Sequence, residues 1–255
     1  MMRSLIVLFA VALLLGSGSA RAAPKGTKAV SPCVPIEHET IVCKVGERVF
    51  RIIHDSVSPS RRYAVGWSIE GGDDDMNDLA EDPRPEDKLQ ERSFSTDNRD
   101  HVWNYLIRLA DGKILGKLDG RHFGDRQRYN HYSHQISWSP DERYFAQITD
   151  WRFGSSFASA YRIGAGDRVE GPFRMTPPAR RAAAALLKGA KDKDYVSKVN
   201  AAFEIKSITN DGTMEFGVGF AEAKEEGFNF DMTVRLKAAG GRLTGEVKSA
   251  RQEKD

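Results

Sequence analysis

The chain has 255 residues, 40% hydrophobic and 29% charged, which is globular composition and excludes wholesale disorder. The length suits one domain, or one domain with an appendage, and is enough to bury a core without metals or many disulfides. Formal net charge is +2, so strongly basic or acidic behaviour is excluded as well.

The first segment reads as a leader. Arg3 gives a positive start, Leu5 to Leu15 is unbroken and apolar, and Ala20-Arg21-Ala22 offers small residues at both ends of an A-x-A cleavage site. A membrane anchor is the competing reading. An apolar run of about 11 residues is too short to cross a hydrocarbon core of about 30 Å. With a signal peptide at 1–22, no second run of spanning length and no cysteine directly after the cleavage site, the expectation is an exported protein, periplasmic or extracellular, with no transmembrane anchor. Removing Arg3 and Arg21 takes the 38 basic residues to 36, equal to the 36 acidic ones. A neutral mature chain gives no electrostatic case for nucleic acid, which needs a net basic face.

Cys33 and Cys43 form an even, closely spaced pair. In an oxidising compartment this predicts a disulfide, and Pro32 and Pro35 suit a turn beside it. The rival reading, a redox or metal pair, calls for a spacing nearer C-x-x-C.

From Glu39 onward short strands alternate with turn signals. Thr40–Cys43 and Arg48–Ile53 flank Val45-Gly46-Glu47 as a predicted hairpin. Tyr63–Ile69 reads as a strand. Asn104–Leu109 and Lys113–Leu118 flank Ala110-Asp111-Gly112, where glycine supplies the positive φ of a tight turn.

A repeat runs through this region. Val57-Ser58-Pro59-Ser60-Arg61-Arg62-Tyr63 reappears as Trp138-Ser139-Pro140-Asp141-Glu142-Arg143-Tyr144, each copy a Ser-Pro turn followed by a Tyr that opens a strand. Ala160–Ile163, Gly164–Asp167 and Arg168–Phe173 echo the strand, turn and strand at Asn104–Leu118. The run W-S-P-D-x-R-Y with its apolar strand resembles the WD40-like repeat of TolB-type bacterial β-propellers. NYLIRLADGKILGKL with RYNHYSHQISWSPDERYFAQITDW is similar to exported bacterial proteins of unassigned activity. The resemblance covers Asp55 to Phe173, and the copy at Ser58 lacks the acidic residue, having Ser60. It implies protein-binding surfaces rather than catalysis. Two or three units fall short of the four to eight blades of a closed ring. The predicted fold is therefore mainly β, with propeller-like antiparallel β-meander sheets in an open or incomplete arrangement.

Gly71–Arg99 has ten acidic residues against four basic ones and reads as a solvated loop. Asp73, Asp75 and Asn77 begin a calcium-loop pattern. It fails where Gly and Glu are required, at Asp78 and Arg84. Pro177–Phe203 reads as a helical insert, with Thr176 as cap and Pro177 in the first turn. Ala182, Ala183, Leu186, Leu187 and Ala190 form its apolar face. Beyond it, Phe203–Ile208, Thr213–Phe220, Phe228–Leu236 and Leu243–Val247 predict a four-stranded meander. The expected organisation is a leader at 1–22, a β region at 23–175, and a helix-plus-meander at 176–255 belonging to the same domain.

Three groups of residues are candidates for chemistry. His122, His131 and His134 with Asp125 supply ligand types for an open zinc site, whose bound water would become a nucleophile. The alternative is a polar turn whose histidines bond to backbone and to one another. Arg126 and Arg128, with Arg121, offer an anion pocket instead. Trp151 and Arg152 follow a strand, and this pairing of residue types favours a protein interface; Trp67, Trp103 and Trp138 read mostly as core. His38-Glu39 is followed by Val42 where H-E-x-x-H needs its second His, and no S-x-x-K run occurs. The expectation is a non-catalytic binding module with no cofactor and a partner protein in the envelope or outside the cell. A metal-dependent hydrolase using zinc at the histidine cluster is the alternative.

Overall fold

A computed structural model describes residues 31–35, 40–70, 101–121, 133–150, 156–222 and 227–253. Residues Ser31–Asp255 form one compact unit. The leader and the acidic segment lie outside the described residues.

The strands form three antiparallel sheets, each hydrogen-bonded between chain neighbours. Sheet A contains β1 (Cys33–Pro35), β2 (Ile41–Val45), β3 (Arg48–Ile52), β4 (Tyr63–Ile69), β5 (Val102–Arg108) and β6 (Lys113–Lys117). Sheet B contains β7 (Ser133–Trp138), β8 (Tyr144–Asp150), β9 (Phe157–Ile163) and β10 (Val169–Arg174). Sheet C contains β11 (Asn200–Ile208), β12 (Thr213–Ala221), β13 (Phe228–Ala239) and β14 (Arg242–Gln252). Two helices, α1 (Thr176–Leu186) and α2 (Ala190–Lys198), join sheets B and C. The expected mainly-β fold of antiparallel meanders with a helical insert is what the chain adopts.

Sheet B is the middle layer. Along β8, Tyr144, Ala146 and Ile148 face the helices and sheet C, while Phe145 joins Tyr63, Val65, Trp67 and Leu106 of sheet A. Burial on both faces leaves β8 without the in–out alternation of a half-exposed strand. An aromatic stack crosses from sheet A into sheet B: Tyr63 to Trp138 at 6.3 Å, Trp138 to Phe145 at 4.8 Å, and Phe145 to Tyr161 at 4.9 Å. Trp67 is fully buried and Trp138 partly so, in keeping with their reading as core.

Sheet A curls back on itself. Its first strand comes round to the β5–β6 turn, where Ser31 Oγ donates to the Leu109 carbonyl at 2.8 Å and Gly112 abuts Pro32. The curl encloses a second small core of Phe50, Ile52, Ala64, Tyr105 and Ile107 around Cys43. Cys33 and Cys43 face each other in the β1–β2 register and form the expected disulfide. The predicted hairpin turns hold, with Gly46 at φ 63° and Gly112 at φ 66°.

The helical insert is shorter than Pro177–Phe203. The first helix ends at Leu186, and the second stops at Lys198. Ala201, Phe203 and Ile205 then alternate inward on β11, so Phe203 belongs to a strand. Thr176 is the first helical residue, and Met175 occupies the cap position without a side-chain bond.

The two Ser-Pro segments fold alike. Ser58 N–H donates to the Tyr63 carbonyl and Ser139 N–H to the Tyr144 carbonyl, each at 2.8 Å. Each Ser Oγ accepts from the following Tyr N–H, at 3.1 Å and 3.0 Å. Arg61 and Glu142 share a φ of 58°. In the second turn the Asp141 carboxylate accepts from Ser139 Oγ and Arg143 N–H. The first turn has Ser60 in place of that acid, and Glu142 reaches across to it, accepting from Ser60 N–H and, at 2.6 Å, from Ser60 Oγ. Glu142→Ala should therefore loosen this junction. We expect a loss of about 1–3 kcal/mol in denaturant unfolding, typical of removing hydrogen bonds to a charged acceptor. Asp141→Ala should disturb only its own turn.

Candidate functional site

The A–B sandwich has two unlike ends. One end carries tight turns: the two Ser-Pro turns, the Gly112 turn, and the 3-10 turn at Ala165–Asp167, tied together by Tyr63 and Arg108 on Asp167. From the other end depart the connections after Glu70, Arg121 and Asp150, and to it they return at His101, Ser133 and Ser156. These connections carry most of the residues singled out in the sequence. His122, Asp125, Arg126, Arg128, His131, Trp151 and Arg152 themselves lie outside the described residues.

Between the sheets at this end the apolar core gives way to polar side chains. Asn104, fully buried on β5, accepts through Oδ1 from Gln147 Nε2 at 2.9 Å. The same Gln147 nitrogen lies 3.1 Å from His134 Nε2. The next residue on this face of β8, Thr149, is 4% exposed and Gln147 is 2% exposed. Among the described residues, Gln147 Oε1 and Thr149 Oγ1 have no hydrogen-bond partner, which is costly for buried polar atoms. Gly120 seats the amide pair: a Cβ there would stand 2.0 Å from Gln147 Nε2. Beside it, Asp119 N–H donates to the Tyr161 hydroxyl at 2.7 Å, and the Asp119 carboxylate takes a two-point bond from Arg174 at 2.7 and 3.0 Å. That two-point contact fixes the guanidinium plane. Burial raises the Tyr161 hydroxyl's pKa.

The opposite face of β5 at the same end is cationic and aromatic. Trp103 has Lys117 Nζ 3.4 Å and Arg121 Cζ 4.3 Å from its ring centre, an arrangement the ring's quadrupole favours. Next to it, Glu70 accepts from Tyr105, Arg48 (2.8 Å) and Lys117 (2.9 Å). The Tyr105 hydrogen bond, with both cations alongside, holds the Glu70 carboxyl below its usual range. Burial, with that same bond, pushes the Tyr105 hydroxyl up to about 12. A hydroxyl whose folded pKa exceeds its unfolded value of 10.0 contributes stability in full below that pH. The contribution is lost as pH rises from 10.0 to about 12. A Tyr105→Phe variant should lack this tyrosine's late step in an ultraviolet titration, and should lose less stability than the parent over that window.

Of the proposed zinc ligands, His134 is the one within the described residues. It stands in β7 opposite Thr149, with Nε2 beside the Gln147 amide. If that amide donates to it, the lone pair a metal would need is occupied. Among the described residues, no group of three histidine, cysteine or carboxylate side chains is placed to hold a metal ion. Among them, too, no helix is long and apolar enough to cross a membrane.

Sequence reading missed the Asn104–Gln147 pair. Its signal was present: each is a lone amide flanked by large apolar residues, Asn104 in VWNYLIR and Gln147 in YFAQITD. A buried amide in such a run needs a partner on the facing sheet. The chain matches no protein-family model, no curated protein and no solved structure.

Proposed function

We propose that this is an exported, non-catalytic binding module that meets a protein of the envelope or the extracellular space. The observation that carries this reading is the division of labour between the two ends of the A–B sandwich. Tight turns close one end, while the connections bearing Trp151, Arg152, Arg126 and Arg128 depart from the other, the end at which the strands carry the buried polar seam and the Trp103 cluster. Rigid sheets that present variable connections at one end are a common solution for recognition. The likeness of the Ser-Pro segments to TolB-type repeats points the same way.

Trp151→Ala and Arg152→Ala should each weaken partner capture, measured by crosslinking in the native envelope, with unchanged thermal unfolding. A loss of at least about tenfold is expected for an interface anchor of these residue types. Capture unaffected by both variants would sink this surface.

A second reading is favoured by the place of His134, at the strand where the connection carrying His122, Asp125 and His131 returns. In that reading the protein is a zinc-dependent hydrolase. Elemental mass spectrometry of the oxidised protein beside a His131→Ala, His134→Ala double variant separates the two. About one zinc per chain, lost in the variant, would favour hydrolysis over binding.

A further inference from the structure

A different surface carries an inference that does not depend on the connections at the sandwich end. Strands β10 and β14 are the outer strands of sheets B and C, and they lie side by side. Gly241 abuts the Arg168 guanidinium at one end, and Gly245 abuts the Phe173 ring further along, so the two strands run in the same direction. Among the described residues no backbone hydrogen bond joins them. A hollow of about 550 Å³ opens between them, lined by Gly171, Pro172, Phe173, Arg174 and Arg242–Gly245. Past Gly245 a second hollow of about 330 Å³ continues between α1 and β14, lined by Pro178, Arg181, Ala182 and Val247. The floor is low because Gly171 and Gly245 bring no side chain; a Cβ on Gly245 would stand 2.5 Å from Phe173 Cζ.

The charge of this groove is one-sided. Arg168, Arg181 and Arg242 are exposed, and no ion pair within the described residues engages them. Arg174 is held by Asp119 with 68% of its side chain still exposed. The nearby acids are committed elsewhere: Glu170 to Arg162, and Glu246 to Lys237 and Lys248. Four guanidinium groups therefore stand along an elongated groove that also presents Pro172 and Phe173, with one carboxylate among them.

We infer that this groove binds an acidic peptide segment in extended conformation, supplied by a partner protein. Side chains of an extended chain alternate between two directions. Carboxylates on one side would meet the arginines, which suit two-point carboxylate recognition. Small apolar residues on the other would lie over Phe173 and Pro172.

The test uses the oxidised full-length protein and a capped, fluorescein-labelled peptide of alternating glutamate and valine, about eight residues long. Fluorescence anisotropy should show saturable binding that weakens as salt rises from about 50 to about 200 mM. An Arg181→Glu, Arg242→Glu variant should bind at least about tenfold more weakly, since like charges would now face the peptide. A Lys188→Glu, Lys191→Glu variant, with the same charge change at exposed positions away from the groove, should bind as the parent does. No binding by the parent would overturn the inference. So would equal binding of a lysine–valine peptide, or equal weakening in both variants. Self-association of the parent that Arg242→Glu abolishes would assign the groove to a second copy of this chain instead. The Trp151 and Arg152 variants should leave peptide binding unchanged, so this groove and the sandwich-end surface stand or fall separately.

Discussion

Phe145→Ala is expected to cost about 3–5 kcal/mol, the usual range for deleting a buried aromatic ring. Phe145 is fully buried in the middle layer, between Trp138 at 4.8 Å and Tyr161 at 4.9 Å. Its ring is the link through which sheet B holds sheet A, since Tyr63 stacks on Trp138 and Tyr161 holds the Asp119 backbone. The surrounding strands are hydrogen-bonded into their sheets and have little freedom to collapse into the space left behind. The expected result in urea is a lower midpoint. Two-state unfolding should persist if the sheets form one cooperative unit, whereas separate transitions for sheets A and C would show that the middle layer couples them less than its burial implies. Phe145→Leu should recover part of the loss by refilling volume.

Gly171→Ala should be nearly as damaging, for a backbone reason. Gly171 has φ 137°, a conformation that side chains other than glycine's rarely adopt. A Cβ there would also stand 2.8 Å from Tyr161 Cδ1 and 3.0 Å from the Ala160 carbonyl oxygen. The second neighbour is backbone in a paired strand and has little room to yield. Strain of about 1–3 kcal/mol is expected from the dihedral, and overpacking of about 1–3 kcal/mol adds to it. Thermal unfolding compared with Gly166→Ala makes the check. Gly166 has φ 69° and nothing within 4 Å of its Cβ position, so it reports the cost of an ordinary left-handed dihedral with no steric contact. If the two variants prove equally mild, close contact at Gly171 is not what demands glycine.

Much of the architecture was legible in the sequence because local signals and tertiary demands agree. Tyr63–Ile69 is a strand at the predicted limits, and the four strands of sheet C appear in order with their inward residues alternating. The insert was overextended for an identifiable reason. Val196, Val199 and Phe203 have near-helical spacing, but Ala201, Phe203 and Ile205 have strand spacing over the same stretch, and pairing with β12 decides for the strand. The layering of three sheets was not legible. It depends on which faces of β4 and β8 are covered, and a strand buried on both faces has no periodicity to report it. The candidate site was legible only at its edges. Single residues with obvious chemistry, such as His134, stand out in a sequence, whereas Asn104 and Gln147 acquire meaning only when two sheets bring them together.

The bond from Glu142 to Ser60 makes the two Ser-Pro units unequal partners. The second unit supplies its own carboxylate through Asp141 and has a further one to give, in Glu142. The first unit gives none, since Arg61 occupies the position equivalent to Glu142. The capping runs one way and continues a further step: Asp141 N–H donates to Asn210 Oδ1 at 2.9 Å, from the turn between β11 and β12. A unit placed ahead of Ser58 would find a guanidinium where it needs an acceptor. In assembly terms the order of the sheets is written into their turns: each unit is closed by an acceptor from the one that follows it, Ser60 by Glu142 and Asp141 by Asn210.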